Sequence, residues 1–254
     1  MMNAAFRALG LDAFYMALRV DDAAEALRII GEMGFRGLSV TLPHKEACFA
    51  AVEKCDETAR RIGAINTLRF ADGRWEGINT DWTGLTRALL AVAPLAGKRV
   101  AVLGAGGAAR AAVFGMLREG AAATVINRVV ERGEGLAREF NCDFMPLSEI
   151  ADRPEEIGRG FDVAIQCTPS GMTGGGVAAI VPEPFFHGGM VAMDTVYTPR
   201  MTPFLQAAEK AGCKLGFGLE MFLHQGAAQF EWWWDRPAPV NIMRHALRRA
   251  EGHE

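Results

Sequence analysis

The sequence predicts an α/β protein of two lobes. Three observations carry that expectation. Strand-like and helix-like segments alternate along most of the chain. From residue 99 the alternation becomes regular, which is the pattern of a parallel sheet covered by helices on both faces. A short joint, "PLAGK" at 94–98, separates this regular part from a less regular front, and such Pro/Gly punctuation marks a connection.

The front half reads in order. "AFYMALRV" (13–20) is rich in apolar and aromatic residues and reads as a strand. "DDAAEALRIIGEMGF" (21–35) opens on aspartates suited to capping, repeats apolar residues at helical spacing and stops near Gly34. "GLSVT" (37–41) is the next strand, and Pro43 suits a helix start, where its missing N–H costs little. "TLRFADGRWEGIN" (67–79) is a hairpin turning at "ADGR". A helix is expected at about 82–93.

Beyond the joint, "RVAVLGAGG" is a strand running into a glycine-rich turn, and a helix follows to about residue 119. "ATVINR", "FMPL", "FDVAIQC" and "MVAMDTV" are further strands, with a helix between the first two. From about residue 221 the tail is helical and aromatic ("FEWWWD") and is expected to pack back on the first lobe. The domain assignment is therefore 1–93 plus 221–254 for the first lobe and 94–220 for the second.

Composition narrows the function. The 254 residues are 50% hydrophobic, enough for a sizeable core. The net charge is −3, and no basic face of the kind that binds nucleic acid stands out. The densest basic stretch, "RHALRRAEGHE", also carries acids and reads as a solvated terminal helix. Five cysteines, an odd number with no CxxC pair, argue against a disulfide framework and against structural zinc, so no metal is expected. Reduced thiols fit a cytoplasmic location. No apolar run approaches the roughly 18 residues that span a bilayer, and the first residues lack the pattern of a signal peptide.

The glycine turn points to a nucleotide. In "VAVLGAGGAAR" (100–110), Gly104, Gly106 and Ala109 form a G-x-G-x-x-A pattern between a strand and a helix. Gly104 allows a tight turn, Gly106 lets backbone approach a pyrophosphate, and small Ala109 allows helix and strand to pack closely. The helix start then faces the anion. The bland alternative is a small-residue turn of any α/β protein. An NAD site places an acid about 20 residues further on, for the ribose hydroxyl. Here that zone offers Arg128 and, one turn later, Arg132. Two guanidinium groups suit a 2′-phosphate, so the expected cofactor is NADP; as plain surface arginines they would carry no such message.

Two further residues suggest chemistry. Lys45 follows "SVTLPH", where a strand meets a helix, and Asp81 in "GINTDWTG" (77–84) sits between a hairpin strand and a helix. Read singly, Lys45 is a solvated lysine and Asp81 a helix cap. Both nonetheless lie at strand ends, where α/β folds place their crevices. A lysine–aspartate pair suits carbonyl reduction. The ammonium stabilises the developing alkoxide and supplies a proton. The carboxylate favours the charged amine.

Taken together, "SVTLPHK" (39–45), "GAINTL" (63–68), "GINTDWTG" (77–84), "GAGGAAR" (104–110), "NRVVER" (127–132), "CTPSGM" (167–172), "MDTVYTPRMTPFL" (193–205) and "GLEMFLHQGAAQF" (218–230) resemble the shikimate/quinate dehydrogenase family, in order over nearly the whole chain. The resemblance implies a substrate lobe with a mixed sheet, followed by a Rossmann-like NADP-binding lobe. The implied activity is NADP-dependent reduction of 3-dehydroshikimate to shikimate, a step of aromatic amino-acid and chorismate biosynthesis. It makes Lys45 and Asp81 the catalytic pair. Thr41, Asn66 and Gln225 would hold the ring hydroxyls, with Tyr197 nearby. For the cofactor it implies Gly104, Ala105, Gly106, Gly107 and Ala108 in the glycine turn. Asn127, Arg128 and Arg132 follow on the next strand and helix. Thr168, Gly218 and Met221 complete the set, the last two beside the nicotinamide.

Two departures stand out. Val129 replaces the threonine usual after Asn-Arg, which loosens contacts on the adenine side. The family also carries a strand and a Ser-x-Ser loop ahead of its first helix, and this chain has neither. The expected effect is weaker binding of the substrate carboxylate, by roughly a hundredfold or more for two lost charge-assisted hydrogen bonds, together with unpaired backbone in the first lobe. Quinate or aminoshikimate as substrate, and a non-catalytic NADPH-binding protein, are the alternatives. The expected partners are small molecules, with no nucleic acid and no membrane. The protein would be a monomer or a homodimer.

Overall fold

The computed structural model describes residues 1–173 and 179–250. They form two compact units, one of Met1–Thr80 with the tail from Leu223, and one of Asp81–Phe222.

In the first unit the order is α1 (Met2–Ala8), α2 (Ala23–Glu32), β1 (Gly37–Ser39), α3 (Lys45–Ala51), β2 (Lys54–Cys55), α4 (Glu57–Ile62), β3 (Thr67–Ala71) and β4 (Arg74–Ile78). The sheet is mixed, in the order β1-β3-β4-β2, with only the β2–β4 pair parallel. The expected hairpin is present. Asp72 (φ 53°) and Gly73 (φ 76°) both take left-handed backbone, the conformation that lets a two-residue turn follow the strand twist. Asp22 caps α2 through the Glu25 amide at 2.9 Å, as its position in the sequence suggested.

Residues 13–20 differ from expectation: they form no strand. Both backbone groups of Tyr15 pair with the side-chain amide of Asn3, at 2.7 and 2.8 Å, in place of a neighbouring strand. The apolar and aromatic residues that suggested a strand remain as exposed side chains, including Phe14, Met16 and Leu18. Strand propensity alone does not make a ladder when no edge is offered.

The second unit continues with α5 (Asp81–Leu90), β5 (Arg99–Leu103), α6 (Gly107–Arg118), β6 (Ala122–Asn127), α7 (Val130–Phe140), β7 (Asp143–Pro146), α8 (Leu147–Asp152), α9 (Pro154–Gly158) and β8 (Val163–Gln166). After a 3-10 turn at Glu183–Phe185 come β9 (Val191–Asp194), α10 (Pro203–Lys210) and β10 (Lys214–Gly216). Its six strands are all parallel, in the order β10-β9-β8-β5-β6-β7. The order reverses between β5 and β8, the place where such sheets open a crevice. Val100, Ala101, Val102 and Leu103 of β5 are wholly buried, which is why this strand reads as an unbroken apolar run.

The second unit begins at Asp81, ahead of the joint read at 94. The reason is close helix packing. Trp82 of α5 meets Phe114 of α6 edge-on at 5.4 Å, and Arg118 lies 4.9 Å over the Trp82 ring. A Cβ on Gly115 would stand 2.6 Å from the Thr86 hydroxyl, so only glycine lets the two helices approach this closely.

The chain passes from the second unit to the first inside α11 (Gly218–Trp234), and α12 (Val240–Ala250) follows. The first-unit part of α11 buries Leu223, Ala227 and Phe230 against Met2, Ala5 and Phe6 of α1 and Met243 of α12. The tryptophan run is part of this packing. Trp233 donates to the Leu68 carbonyl at 2.9 Å, Trp234 lies 5.7 Å from Phe6, and Arg69 stacks 4.5 Å over Trp232. Residues 251–254 of the basic terminal stretch lie outside the described residues.

Gly37 shows how tightly the tail is seated, since a Cβ there would fall 2.7 Å from the Trp233 indole nitrogen. Gly37→Ala is expected to destabilise the first unit by about 1–3 kcal/mol, the usual penalty of overpacking. The check is the urea midpoint of the variant, which would stay put if the tail could shift freely.

Candidate functional site

The first unit builds a buried polar cluster around one amide. Asn66 follows a turn after α4 and precedes β3, and it is 1% exposed. Its Oδ1 accepts from the Thr80 amide at 2.7 Å and from the hydroxyls of Thr67 (2.9 Å) and Thr80 (3.2 Å). Its Nδ2 donates to the Thr80 hydroxyl at 3.0 Å and to Gln225 Oε1 at 3.3 Å. Gln229, one helical turn beyond Gln225, donates to the Asn66 carbonyl at 3.2 Å and accepts from Ser39 at 2.7 Å. Asn66 and Gln225, predicted as substrate residues, are thus brought together. Ser39, Thr67, Thr80 and Gln229 were not predicted. The i, i+4 spacing of the two glutamines, which puts both on one helix face, was the available signal.

Lys45 is the first residue of α3 and half-buried. Its carbonyl accepts from the Ile65 amide at 3.1 Å, which ties the helix start to the residue before Asn66. His44 is fixed beside it by a 2.9 Å contact with the Val20 carbonyl. Thr41 lies four residues earlier, exposed on the loop after β1. Lys45 and Thr41 thus belong to the first unit. Asp81, 3% exposed, is the first residue of α5 and belongs to the second.

The second unit gathers the residues predicted for the nucleotide at the carboxyl ends of its strands. Gly104 ends β5 with φ 123°, a value that favours glycine. It also lies close to the loop after β8, since a Cβ there would be 3.1 Å from the Thr168 methyl. Gly106 caps α6 without any side-chain hydrogen bond, and among the described residues nothing stands within 4 Å of where its Cβ would be. The first amides of α6, from Gly107 and Ala108, thus have no side-chain cap beside Ala105 and Gly106, the arrangement that suits an anion. Asn127 ends β6 and donates to the Val129 carbonyl at 2.8 Å, shaping the turn that carries exposed Arg128 and, in α7, exposed Arg132. Thr168 is fixed from within: Gln166, wholly buried, accepts from its amide and its hydroxyl, both at 2.7 Å, and donates to the carbonyls of Thr168 and Ser170. Gln166 had not been singled out. The donor set fits a phosphorylated dinucleotide, with backbone amides for the pyrophosphate and two exposed cations for a further phosphate.

Around the end of β9 the same unit carries Tyr197, exposed and stacked at 4.8 Å on Phe222, with Gly218 and buried Met221 at the start of α11. Asp194 is wholly buried there, and burial pushes its carboxyl up to about 7. Burial also raises the Cys167 thiol well above its ordinary value, with the Asp194 and Asp81 carboxylates acting the same way. A thiol kept neutral is no nucleophile. Among the described residues, no group of three or more His, Cys, Asp or Glu could hold a metal ion, and no helix is long and apolar enough to cross a membrane.

Comparison with known proteins agrees over the whole length. Residues 1–68 match the shikimate dehydrogenase substrate binding domain, residues 87–173 the shikimate/quinate 5-dehydrogenase model and residues 218–248 the shikimate 5′-dehydrogenase C-terminal domain. The shikimate dehydrogenase (NADP(+)) of Syntrophobacter fumaroxidans is 51% identical, covering 100% of this chain and 90% of its own. That of Archaeoglobus fulgidus is 39% identical, covering 98% and 92%. The crystal structure of shikimate 5-dehydrogenase from Thermus thermophilus with NADP(H) and shikimate superposes with a TM-score of 0.88, at 35% identity, covering 98% of this chain and 92% of the other. On this identity and coverage, the chain belongs to the shikimate dehydrogenase family.

Proposed function

We infer that this chain catalyses the reversible NADP-dependent reduction of 3-dehydroshikimate to shikimate. The observation that carries this is the 51% identity to an NADP-linked shikimate dehydrogenase along the entire chain. The exposed arginines after β6, in place of an acid, support the same cofactor.

The chemistry assigns work to the chain's own residues. When bound, the reduced cofactor supplies a hydride to the carbonyl carbon. As that carbon gains the hydride, its oxygen takes up negative charge and needs a proton. We assign that proton to the ammonium of Lys45, which becomes neutral as the alcohol forms. In the reverse direction the neutral amine accepts the alcohol proton. Asp81 is assigned the task of favouring the charged amine between turnovers. Asn66 and Gln225, with Thr41 and Tyr197, are assigned to the ring hydroxyls. The support for Asn66 and Gln225 is their prior order: a buried, mutually bonded amide pair loses little freedom on meeting a ligand. Gly104 to Ala108 with Thr168 are assigned to the pyrophosphate region, Asn127, Arg128 and Arg132 to the adenosine phosphate, and Gly218 and Met221 to the nicotinamide side. Five free cysteines fit a cytoplasmic enzyme.

Two sets of variants test these assignments. Lys45→Ala is expected to lower kcat by about 10²–10⁴-fold, the range for a lost general acid, while the dissociation constant of NADP stays within about twofold. Unchanged turnover would remove Lys45 from the chemistry and revive the reading of a binding protein. Arg128→Ala, alone and with Arg132→Ala, is expected to raise the KM for NADP by about ten- to a hundredfold for each lost charge-assisted contact. The KM for NAD should move little. Parallel changes for both dinucleotides would remove the arginines from 2′-phosphate recognition.

A further inference from the structure

The loop between β9 and α10 is closed by two side chains that the reaction scheme above leaves without a role. Asp194 is the last residue of β9, and Thr202 is the cap of α10. Both are wholly buried, whereas residues 197–200 between them are exposed. Asp194 Oδ2 accepts from the Thr202 hydroxyl at 2.6 Å, and Oδ1 accepts from the Val196 amide at 2.8 Å. The same Thr202 hydroxyl accepts from the Leu205 amide at 3.3 Å. One carboxylate thus fastens the end of a strand, the first turn of a loop and the start of a helix.

What this loop carries matters for the site. Tyr197 stands on it, stacked on Phe222 with an interplanar angle of 28°. The start of α11 rests directly against it: a Cβ on Gly218 would lie 2.5 Å from the Val196 carbonyl oxygen and 2.8 Å from those of Asp194 and Thr195. Arg200 lies 4.7 Å over the Phe217 ring. A shift of the loop therefore displaces Tyr197 and presses on Gly218 together. We propose that Asp194 is a positioning residue: by clasping Thr202 across residues 195–201, it sets Tyr197 and the first turn of α11 in their working places.

The choice of groups supports this reading. A hydroxyl both donates and accepts, so Thr202 can bond to an ionised Asp194 or to a protonated one. Oδ1 accepts the Val196 amide in either state. The clasp therefore stays closed through the neutral range, where Asp194 changes its charge. Gln166 is level with Asp194 on the adjacent strand, and its carbonyl accepts from the Thr195 amide at 2.9 Å. Together these contacts leave the loop base fixed and its tip exposed.

The inference rests on Tyr197 lying beside the ring substrate, and the experiment separates the two claims. Steady-state kinetics with shikimate and NADP are compared for Thr202→Val, Thr202→Ser, Asp194→Ala and Tyr197→Ala, with a cooperative thermal unfolding transition as the measure that each variant is folded. Thr202→Val and Asp194→Ala are expected to raise the KM for shikimate by roughly tenfold or more, the scale of a small misplacement of a binding group. Thr202→Ser, which keeps the hydroxyl, should restore the wild-type KM. If Asp194→Ala fails to fold, Thr202→Val decides. A folded Thr202→Val with an unchanged KM, or equal changes in the Val and Ser variants, would overturn the clasp. Tyr197→Ala with an unchanged KM would overturn the placement of Tyr197, and with it this inference. A raised KM for Tyr197→Ala beside an unchanged one for Thr202→Val would overturn the clasp alone.

Discussion

A side-chain amide buried away from water must find partners for its donors and its acceptor, or the unit loses roughly 1–3 kcal/mol for each group left unmet. Asn66 obeys that constraint by drawing in three side chains and one backbone amide. The first unit takes its working form from this. Thr80 fixes the end of the hairpin, Thr67 the start of β3, and Gln225 the inner face of α11. Gln229 adds Ser39 of β1 to the same group. A cluster satisfied at this density has one arrangement, and its few remaining polar positions are fixed before any ligand arrives.

The second unit solves a different problem with different means. Its parallel strands all end on one side, and the strand order reverses beside Gly104. There the chain turns through a conformation that favours glycine and leaves the first amides of α6 uncapped by side chains. Among the described residues no side chain caps those amides, and the helix dipole adds partial positive charge at the same point. Buried side chains then tie the neighbouring loops to the sheet: Gln166 holds the Thr168 loop, and Asp194 holds the Tyr197 loop. The proposed anion site is made mainly of backbone, whereas the polar cluster of the first unit is made mainly of side chains.

Much of this was legible in the sequence, and the exceptions have physical causes. The hairpin, the glycine turn and the buried strands were readable because each rests on local rules: left-handed turn residues, a strand–turn–helix order and an apolar run. The short strands β2 and β10 were missed, since two or three residues carry no periodic signal. Residues 13–20 misled because propensity was read where pairing decides. The start of the second unit at Asp81 depends on Gly115 admitting α5 against α6, a tertiary fact with no local mark. Asn66 and Gln225 were expected on family resemblance. The further Asn66 partners Thr80 and Gln229 required coordinates, because they lie 14 and 163 residues from Asn66 in the chain. Asp194 was quoted within a motif but given no task, since its partner Thr202 is known only from coordinates.

In the function proposed above, the amide cluster around Asn66 preforms the substrate site of an NADP-linked shikimate dehydrogenase. Calorimetric titration of shikimate into the NADP-saturated protein, wild type against Asn66→Ala, tests it most directly. Asn66→Ala is expected to lose affinity for shikimate by about ten- to a hundredfold, with NADP still bound as tightly as before. Equal shikimate affinity in the two proteins would contradict it.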